Sequence, residues 1–214
     1  MNISMDTYLV TQSTLSEARS TVDVVSAALE GGVDVVQLRE KNVPACERYH
    51  LARELRAMTA DAGVPLVVND RVDIAVAVDA DGVHLGDDDV PVDVARAQLG
   101  PDAIIGRSVS TVAGAKAAED AEADYLGVGA VFVTSSKQTT VEQTEIGLET
   151  VEAVANAVSI PLVGIGGISA ENAADVVAAG ADGVAVISEI TAANDPAAAT
   201  RRLAAAVESG RTQR

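Results

Sequence analysis

The sequence predicts an α/β fold in which a single (β/α)8 TIM barrel domain spans residues 1–214. Three observations carry this prediction: short apolar runs alternate with helix-like stretches, eight such runs occur, and the chain has just enough residues for eight units. Strict alternation implies parallel strands joined by right-handed helical crossovers. The strands are predicted at 7–11, 33–39, 65–70, 82–86, 104–109, 125–132, 161–167 and 183–188.

Most of the predicted strands are rich in Val and Ile and apolar on both faces, beginning with "TYLVT" and "VDVVQLR". Strands of this kind are covered by helices on one side and enclosed by other strands. The sixth run, "YLGVGAVF", and the eighth, "GVAVIS", have the same character with glycine interspersed.

The predicted helices are Ala-rich and amphipathic, as in "SEARSTVDVVSAALEGG" and "SAENAADVVAAGA". Several end in "GGVD" or "AGAD", where glycine suits a left-handed helix end. An open doubly wound sheet is the competing architecture. The first strand lacks the glycine fingerprint of dinucleotide-binding sheets, and eight even units favour closure. No linker or composition shift divides the chain.

Composition excludes several classes of protein. Hydrophobic residues make up 48% and charged residues 22%, which excludes a disordered chain. No apolar run approaches the roughly 20 residues of a membrane span, and the N-terminus lacks the pattern of a secretory signal. Cys46 has no second cysteine to pair with, so we expect a reducing, cytoplasmic location. A net charge of −17 argues against general nucleic-acid binding.

Polar residues gather where the predicted strands end. In a barrel the active site lies at these carboxyl ends. Gln37, Arg39 and Lys41 alternate at the end of the second strand and can therefore point together into the barrel mouth. Other strand ends carry Asn69, Asp70 and Arg71; "GDDD" at 86–89; Arg107 and Ser108; "TSSK" at 134–137; "GIGGIS" at 164–169; and Ile187 and Ser188.

Each of these segments also has an ordinary structural explanation. "GDDD" can be a solvated turn, "TSSK" a polar loop, "NDR" a helix N-cap and "GIGG" a tight turn. His84 is interpreted as a packed strand residue and His50 as a helix-surface residue. Together, however, the segments indicate two anion sites. One, with cations and metal-holding carboxylates, suits a diphosphate, and the glycine loop with Ser188 suits a monophosphate.

In order and spacing, the segments "YLVT", "QLREK", "VVNDR", "GVHLGDDD", "GRS", "TSSK", "GIGGI" and "VIS" resemble the thiamine-phosphate synthase family. The resemblance runs from about Tyr8 to Ser188. It implies a transferase that joins 4-amino-2-methyl-5-pyrimidinylmethyl diphosphate to 4-methyl-5-(2-phosphoethyl)thiazole, giving thiamine monophosphate and diphosphate.

The resemblance also implies roles for individual residues. It assigns Mg2+ as cofactor, ligated by Asp70 and Asp89, and two small-molecule substrates as partners. It assigns Arg39, Lys41, Ser108 and Lys137 to catalysis. Substrate binding falls to Gln37, Leu38, Arg39, Glu40, Lys41, Asn69, Ser108 and Lys137 for the pyrimidine diphosphate, and to Thr134, Ser135, Ser136, Gly166, Gly167, Ile187 and Ser188 for the thiazole phosphate.

Two departures from the family pattern occur. Asp87 stands where the family often has Gln, so Asp87 and Asp88 are further candidates to assist the metal beside Asp89. In addition, "TSSK" replaces the more usual "TxTK", and Ser136 in place of Thr removes one methyl group. Two other functions remain open. One is a thiazole tautomerase-like paralogue, whose proton transfers would rely on a histidine. The other is a non-catalytic phosphate-binding barrel.

The charge of −17 further predicts adaptation to high salt, since a dense carboxylate surface repels itself unless it is screened. We expect the melting temperature to rise between dilute buffer and about 1 M KCl, where the Debye length falls to about 3 Å. Thermal unfolding followed by circular dichroism measures this. An unchanged melting temperature would refute the adaptation without affecting the predicted activity.

Overall fold

The computed structural model describes residues 4–134 and 145–214, and within them eight parallel strands close into a barrel in sequence order. The predicted fold class is thereby confirmed. Most strands are slightly shorter than the apolar runs that predicted them. They are β1 Thr7–Val10, β2 Val35–Leu38, β3 Leu66–Asn69, β4 Gly82–Leu85, β5 Ile104–Val109, β6 Tyr125–Gly129, β7 Leu162–Ile165 and β8 Gly183–Val186.

Helices surround the barrel, and several start with a side-chain cap. Ser20 accepts a hydrogen bond from the Asp23 N–H at the start of α1, and Thr111 does the same for Gly114 in α5. None of the helices in the two described ranges is both long and apolar enough to cross a membrane. The helices are α1 Thr21–Glu30, α2 Ala45–Ala62, α3 Val72–Val78, α4 Val92–Leu99, α5 Val112–Asp120, α6 Gly147–Ala155, α7 Ala173–Ala178, α8 Ser188–Thr191 and α9 Pro196–Arg211.

The strands separate two layers of side chains because successive residues point to opposite faces. In β1, Leu9 packs in the large cluster between barrel and helices, whereas Tyr8 and Val10 belong to the cluster inside the barrel. The same alternation places Val35 inside and Val36 outside in β2. Every second residue of a strand therefore reaches the barrel interior, and the last of these residues reach its mouth.

Four aspartates, which we call the clamp aspartates, each precede an even-numbered strand and bind the start of the strand before it. In the first clamp the Asp34 carboxylate accepts the Thr7 N–H at 2.9 Å, while the Asp34 N–H donates to the Thr7 carbonyl at 2.9 Å. The same reciprocal pair of bonds joins Asp81 to Leu66, Asp124 to Ile105 and Asp182 to Leu162. Each clamp fixes one strand pair at the amino end of the barrel.

A shared backbone conformation precedes each clamp aspartate. Two residues before it, the chain takes a left-handed conformation that ends the preceding helix. Glycine fills this position at Gly32 and Gly180, as the glycine stops in the sequence suggested. At the other two clamps the residue is Asp79 (φ 52°) or Glu122 (φ 63°), so glycine is not required there.

We expect Asp34→Ala to lower the free energy of unfolding by about 1–3 kcal/mol, because the fully buried Thr7 would lose the acceptor of both its N–H and its hydroxyl. Denaturant unfolding measures the change. The matched control is Asp34→Asn, which keeps an acceptor oxygen and should cost less. Equal stability of both variants and the parent chain would show that the clamp contributes nothing.

Candidate active site

A cavity of about 700 Å³ opens at the carboxyl ends of the strands. Its walls are formed by inward-facing residues of the strands and by the loops that follow β2, β3, β4, β6, β7 and β8. Its volume is typical of a site for small ligands. The floor residues come from alternate strand positions: Tyr8, Val10, Gln37, His84, Tyr125, Val163 and Ala185.

Two cationic side chains of the cavity, Arg39 and Lys41, follow the end of β2. Gln37, Arg39 and Lys41 all line the cavity, as expected from their alternation. Arg39 is buried, and its Nη1 donates to Gln12 Oε1 at 2.7 Å. Burial lowers the pKa of Arg39, opposed by the nearby Asp70 and Glu40 carboxylates. Lys41 is half exposed and its Nζ lies 3.4 Å from Asp70 Oδ2.

The side chains of Leu38 and Glu40 lie outside the cavity, because alternation turns them the other way. Leu38 packs in the cluster between barrel and helices. The buried Glu40 carboxylate accepts hydrogen bonds from the Ser13 N–H and hydroxyl and from the Thr21 hydroxyl. Glu40 thereby fastens the loop that follows β1.

A guanidinium group from α2 holds the loop that carries Lys41. Arg48 is buried, and its Nη2 donates to the carbonyls of Glu40 at 2.5 Å, Lys41 at 3.1 Å and Val43 at 3.2 Å. One cation thus satisfies three carbonyl groups of a short loop. Lys41 is presented to the cavity from a backbone that has little freedom.

Two carboxylates meet beside Lys41. Asp70 follows β3 in a left-handed conformation (φ 62°), and Asp89 closes the turn after β4, where its Oδ2 accepts the Gly86 N–H at 2.6 Å. Partial burial raises the pKa of Asp89, and the adjacent Asp70 carboxyl raises it further, opposed by the Gly86 N–H and Lys41. The neighbouring strand ends therefore bring two like charges together, and each of the two carboxyls disfavours the ionised form of the other.

Ser108 enters the cavity from β5, and His84 of β4 stands next to it. The His84 Nε2 atom lies 2.9 Å from Ser108 Oγ, and Nδ1 lies 2.9 Å from the Tyr125 hydroxyl. Asn69, opposite His84 in the β3–β4 register, also lines the cavity. The sequence interpretation of His84 as a packed strand residue missed its place in the cavity wall.

Across the cavity, the loop after β7 is built from glycines in left-handed conformations. Gly166 (φ 102°) and Gly167 (φ 65°) both line the cavity, and a Cβ on Gly167 would lie 2.7 Å from the Val133 carbonyl oxygen. The Asn172 side chain donates to the Gly167 carbonyl at 3.0 Å and accepts the Ser169 N–H at 2.9 Å. Ile187 and Ser188 complete this wall.

Comparison with known proteins is decisive at this point. A family model described as "Thiamine monophosphate synthase" matches residues 7–190. The chain belongs to the thiamine monophosphate synthase family. It is 65% identical to the thiamine-phosphate synthase of Natronomonas pharaonis, covering 94% of both chains, and 61% identical to that of Haloarcula marismortui, covering 98% of this chain and 100% of the other. Because thiamine-phosphate synthases are transferases, this chain is an enzyme of the transferase class.

A solved structure supports the same family. The thiamine phosphate pyrophosphorylase from Pyrococcus furiosus superposes with a TM-score of 0.87 at 42% identity, and 97% of each chain is covered. The two proteins therefore share the barrel fold.

Two arginines that the sequence places at strand ends in this family member, Arg71 and Arg107, do not line the cavity. Arg71 pairs with Asp73 on the surface, and Arg107 donates to the Leu85 carbonyl and to Asp87. Thr134 lines the cavity. Ser135, Ser136 and Lys137 lie outside the described residues, so their roles stay predictions.

Asp70 and Asp89 also suit Mg2+ chemically, because this ion prefers hard oxygen ligands and is commonly held by one or two carboxylates with substrate phosphate oxygens and water. No group of three or more His, Cys, Asp or Glu able to hold a metal occurs among residues 4–134 and 145–214. Two carboxylates alone would leave most ligand positions of such an ion to phosphate oxygens and water.

We expect Asp70→Asn to lower the pKa of Asp89, since the neighbouring like charge is replaced by a neutral amide; Asn also tolerates the left-handed backbone. Carboxyl 13C NMR titration measures this. The raised folded pKa means that the Asp89 contribution to stability is present below the unfolded value of about 3.9 and is lost as the pH rises through the folded value. An unchanged Asp89 titration would show that the two carboxyls do not interact.

Proposed function

We propose that the chain catalyses thiamine-phosphate synthesis: the thiazole nitrogen of 4-methyl-5-(2-phosphoethyl)thiazole attacks the methylene carbon of 4-amino-2-methyl-5-pyrimidinylmethyl diphosphate. A C–N bond forms, the C–O bond to the diphosphate breaks, and thiamine monophosphate and diphosphate are released. Membership of the family and the identity of 65% to a relative of this name support the proposal.

The observation that carries the proposal is the meeting of cations and paired carboxylates at one edge of the cavity. Arg39 and Lys41 stand on one strand end, and Asp70 and Asp89 follow the next two. A diphosphate brings several negative charges, which cations can neutralise directly and carboxylates only through a metal ion. Mg2+ held by Asp70 and Asp89 would supply electrostatic stabilisation of the departing diphosphate.

The chain's own residues bind the leaving group and position it. Arg39 and Lys41 neutralise the negative charge that grows on the diphosphate oxygens as the C–O bond breaks, and Ser108 donates a hydrogen bond to it. We assign Gln37 and Asn69 to the pyrimidine end of this substrate, and Lys137 to the diphosphate on the strength of the sequence pattern. The thiazole nitrogen has no proton to lose, so the reaction needs no general base.

The thiazole phosphate is assigned to the opposite wall. The loop of Gly166 and Gly167 brings backbone close to the cavity without a side chain in between, and Ser188 adds a hydroxyl group. Thr134 and Ile187 border the same wall, and Ser135 and Ser136 are included because they follow Thr134 in the sequence. Two anionic substrates would then occupy opposite sides of one cavity, with their reacting atoms between them.

The remaining assignments concern the setting of the enzyme. Its partners are small molecules rather than nucleic acid, and the charge of −17 supports a protein that works at high salt. The few cations near the cavity act against the protein's own field, which otherwise repels both substrates.

The histidine in the cavity bears on the tautomerase alternative. That reaction would require His84 to exchange protons with a substrate, but both ring nitrogens lie within hydrogen-bond distance of protein hydroxyls. The cation and carboxylate groups of the diphosphate end would also be unused. The structure favours the synthase for these two reasons.

Purified protein supplied with both precursors and Mg2+ should form thiamine monophosphate and release diphosphate in equal amounts, and EDTA should abolish both. Asp70→Asn should lower kcat/KM on the order of 100-fold, by analogy with the loss of a charge-stabilising group. The control is Asp73→Asn, which removes an exposed carboxylate nearby on α3 and should leave turnover unchanged. Ligand binding without any turnover would instead support a phosphate-binding barrel.

A further inference from the structure

Five polar side chains form a continuous hydrogen-bonded row across the floor of the cavity, which we call the relay. Gln37 Nε2 lies 2.8 Å from the Tyr8 hydroxyl, and the Tyr8 hydroxyl lies 2.7 Å from that of Tyr125. The Tyr125 hydroxyl is 2.9 Å from His84 Nδ1, and His84 Nε2 is 2.9 Å from Ser108 Oγ. The relay thus joins β2 to β5 through the barrel interior.

The barrel makes room for the relay with two glycines. A Cβ on Gly106 would lie 2.1 Å from the Tyr125 ring, and one on Gly127 would lie 3.0 Å from His84 Cε1. Tyr8 and Tyr125 are almost completely buried, and no buried side-chain polar atom among the described residues lacks a partner. Polar groups this deep are costly unless each is satisfied, so the row is a built feature.

The direction of the hydrogen bonds follows from the first member. The Gln37 amide nitrogen can only donate, so the Tyr8 oxygen accepts and the Tyr8 hydrogen points to Tyr125. The Tyr125 hydrogen then points to His84 Nδ1, which must be unprotonated to accept it. Burial raises the pKa of both tyrosines, which keeps both phenols protonated and able to donate.

The last two members inherit this direction. A neutral His84 with Nδ1 unprotonated carries its hydrogen on Nε2, which donates to Ser108 Oγ. Ser108 accepts that bond and keeps its own hydrogen for a partner in the cavity. If every hydrogen bond of the relay ran in the opposite direction, the Tyr8 hydroxyl hydrogen would point at the N–H group of Gln37, which is also a donor.

We propose that the relay is polarised from Gln37 to Ser108 and that His84 is a positioning residue, held as the neutral Nε2–H tautomer so that Ser108 donates its hydroxyl hydrogen to a diphosphate oxygen. The assignment of diphosphate rests on the proposed function. An anion needs a donor at this position, whereas a Ser108 that donates to His84 would present it with a lone pair.

The tautomer can be measured directly. Long-range 1H–15N NMR of protein labelled with 15N-histidine distinguishes protonated from unprotonated ring nitrogens. The chain has two histidines, and His50→Gln, at an exposed position on α2, assigns the signals. At neutral pH we expect His84 Nε2 to be protonated and Nδ1 unprotonated. A protonated Nδ1, in either the neutral or the doubly protonated ring, overturns the proposal.

Tyr125→Phe tests whether the hydrogen bond from the Tyr125 hydroxyl fixes the tautomer of His84. It removes the hydroxyl that donates to Nδ1, so the single His84 tautomer should give way to a mixture. A purely structural role of Tyr125 predicts the parent tautomer in the variant, and that result would overturn the proposal.

Binding of inorganic diphosphate with Mg2+, measured by calorimetry, tests the consequence at Ser108. His84→Leu should weaken binding on the order of tenfold, and His84→Gln, whose amide can still donate to Ser108, should restore most of it. In a Ser108→Ala background the same His84 changes should have little effect, because His84 acts through Ser108. An equal loss in both backgrounds overturns the positioning role.

These readouts need no turnover. If thiamine monophosphate is not formed while the tautomer and the diphosphate binding behave as expected, the proposed function fails and the relay stands. If thiamine monophosphate is formed but the tautomer is reversed, the relay alone fails.

Discussion

The reciprocal hydrogen bonds of the clamp aspartates set the register on which the cavity depends. Each of the four clamps joins the first or second residue of an odd strand to the residue before the next strand, at the end opposite the cavity. Because side chains alternate, a slip of one residue in β2 would turn Gln37 and Arg39 toward the helices and Leu38 and Glu40 into the cavity. The chemistry at the mouth is thus fixed by carboxylates at the far end of the barrel.

Aspartates have different electrostatic surroundings at the two ends of the barrel. At the amino end, each clamp carboxylate meets backbone N–H groups, and Arg56 and Arg96 reach two of them. At the mouth, partial burial raises the pKa of Asp89, and the adjacent Asp70 carboxyl raises it further. Lys41 and the buried Arg39 partly compensate this repulsion. Binding a cation and an anionic ligand together, as in the proposed function, would balance charges arranged in this way.

Much of this could be read from the sequence. The βα alternation gave the barrel, and the strand-end segments placed Gln37, Arg39 and Lys41 in the cavity. Strict alternation would also have turned Glu40 outward and His84 inward, because Val83 and Leu85 on either side of it face the helices. The hydrogen-bond partners of Glu40 and His84 could not be predicted in this way. The bond of Glu40 to Ser13 joins residues 27 positions apart, and the bond of His84 to Tyr125 joins residues 41 positions apart. Such pairings depend on the three-dimensional register and on the space left by glycines.

The glycines explain why a barrel of this size can hold polar groups at all. Barrel interiors are ordinarily filled by branched apolar side chains, and here Ile104, Val67 and Val163 fill the interior in that way. Gly106 and Gly127 leave out two side chains, and the rings of Tyr125 and His84 occupy that space. The exchange replaces apolar packing by a hydrogen-bonded row that costs stability wherever a bond is missing. Its retention is understandable if the row does something that apolar packing cannot, and orienting a hydroxyl hydrogen toward an anion is such a task.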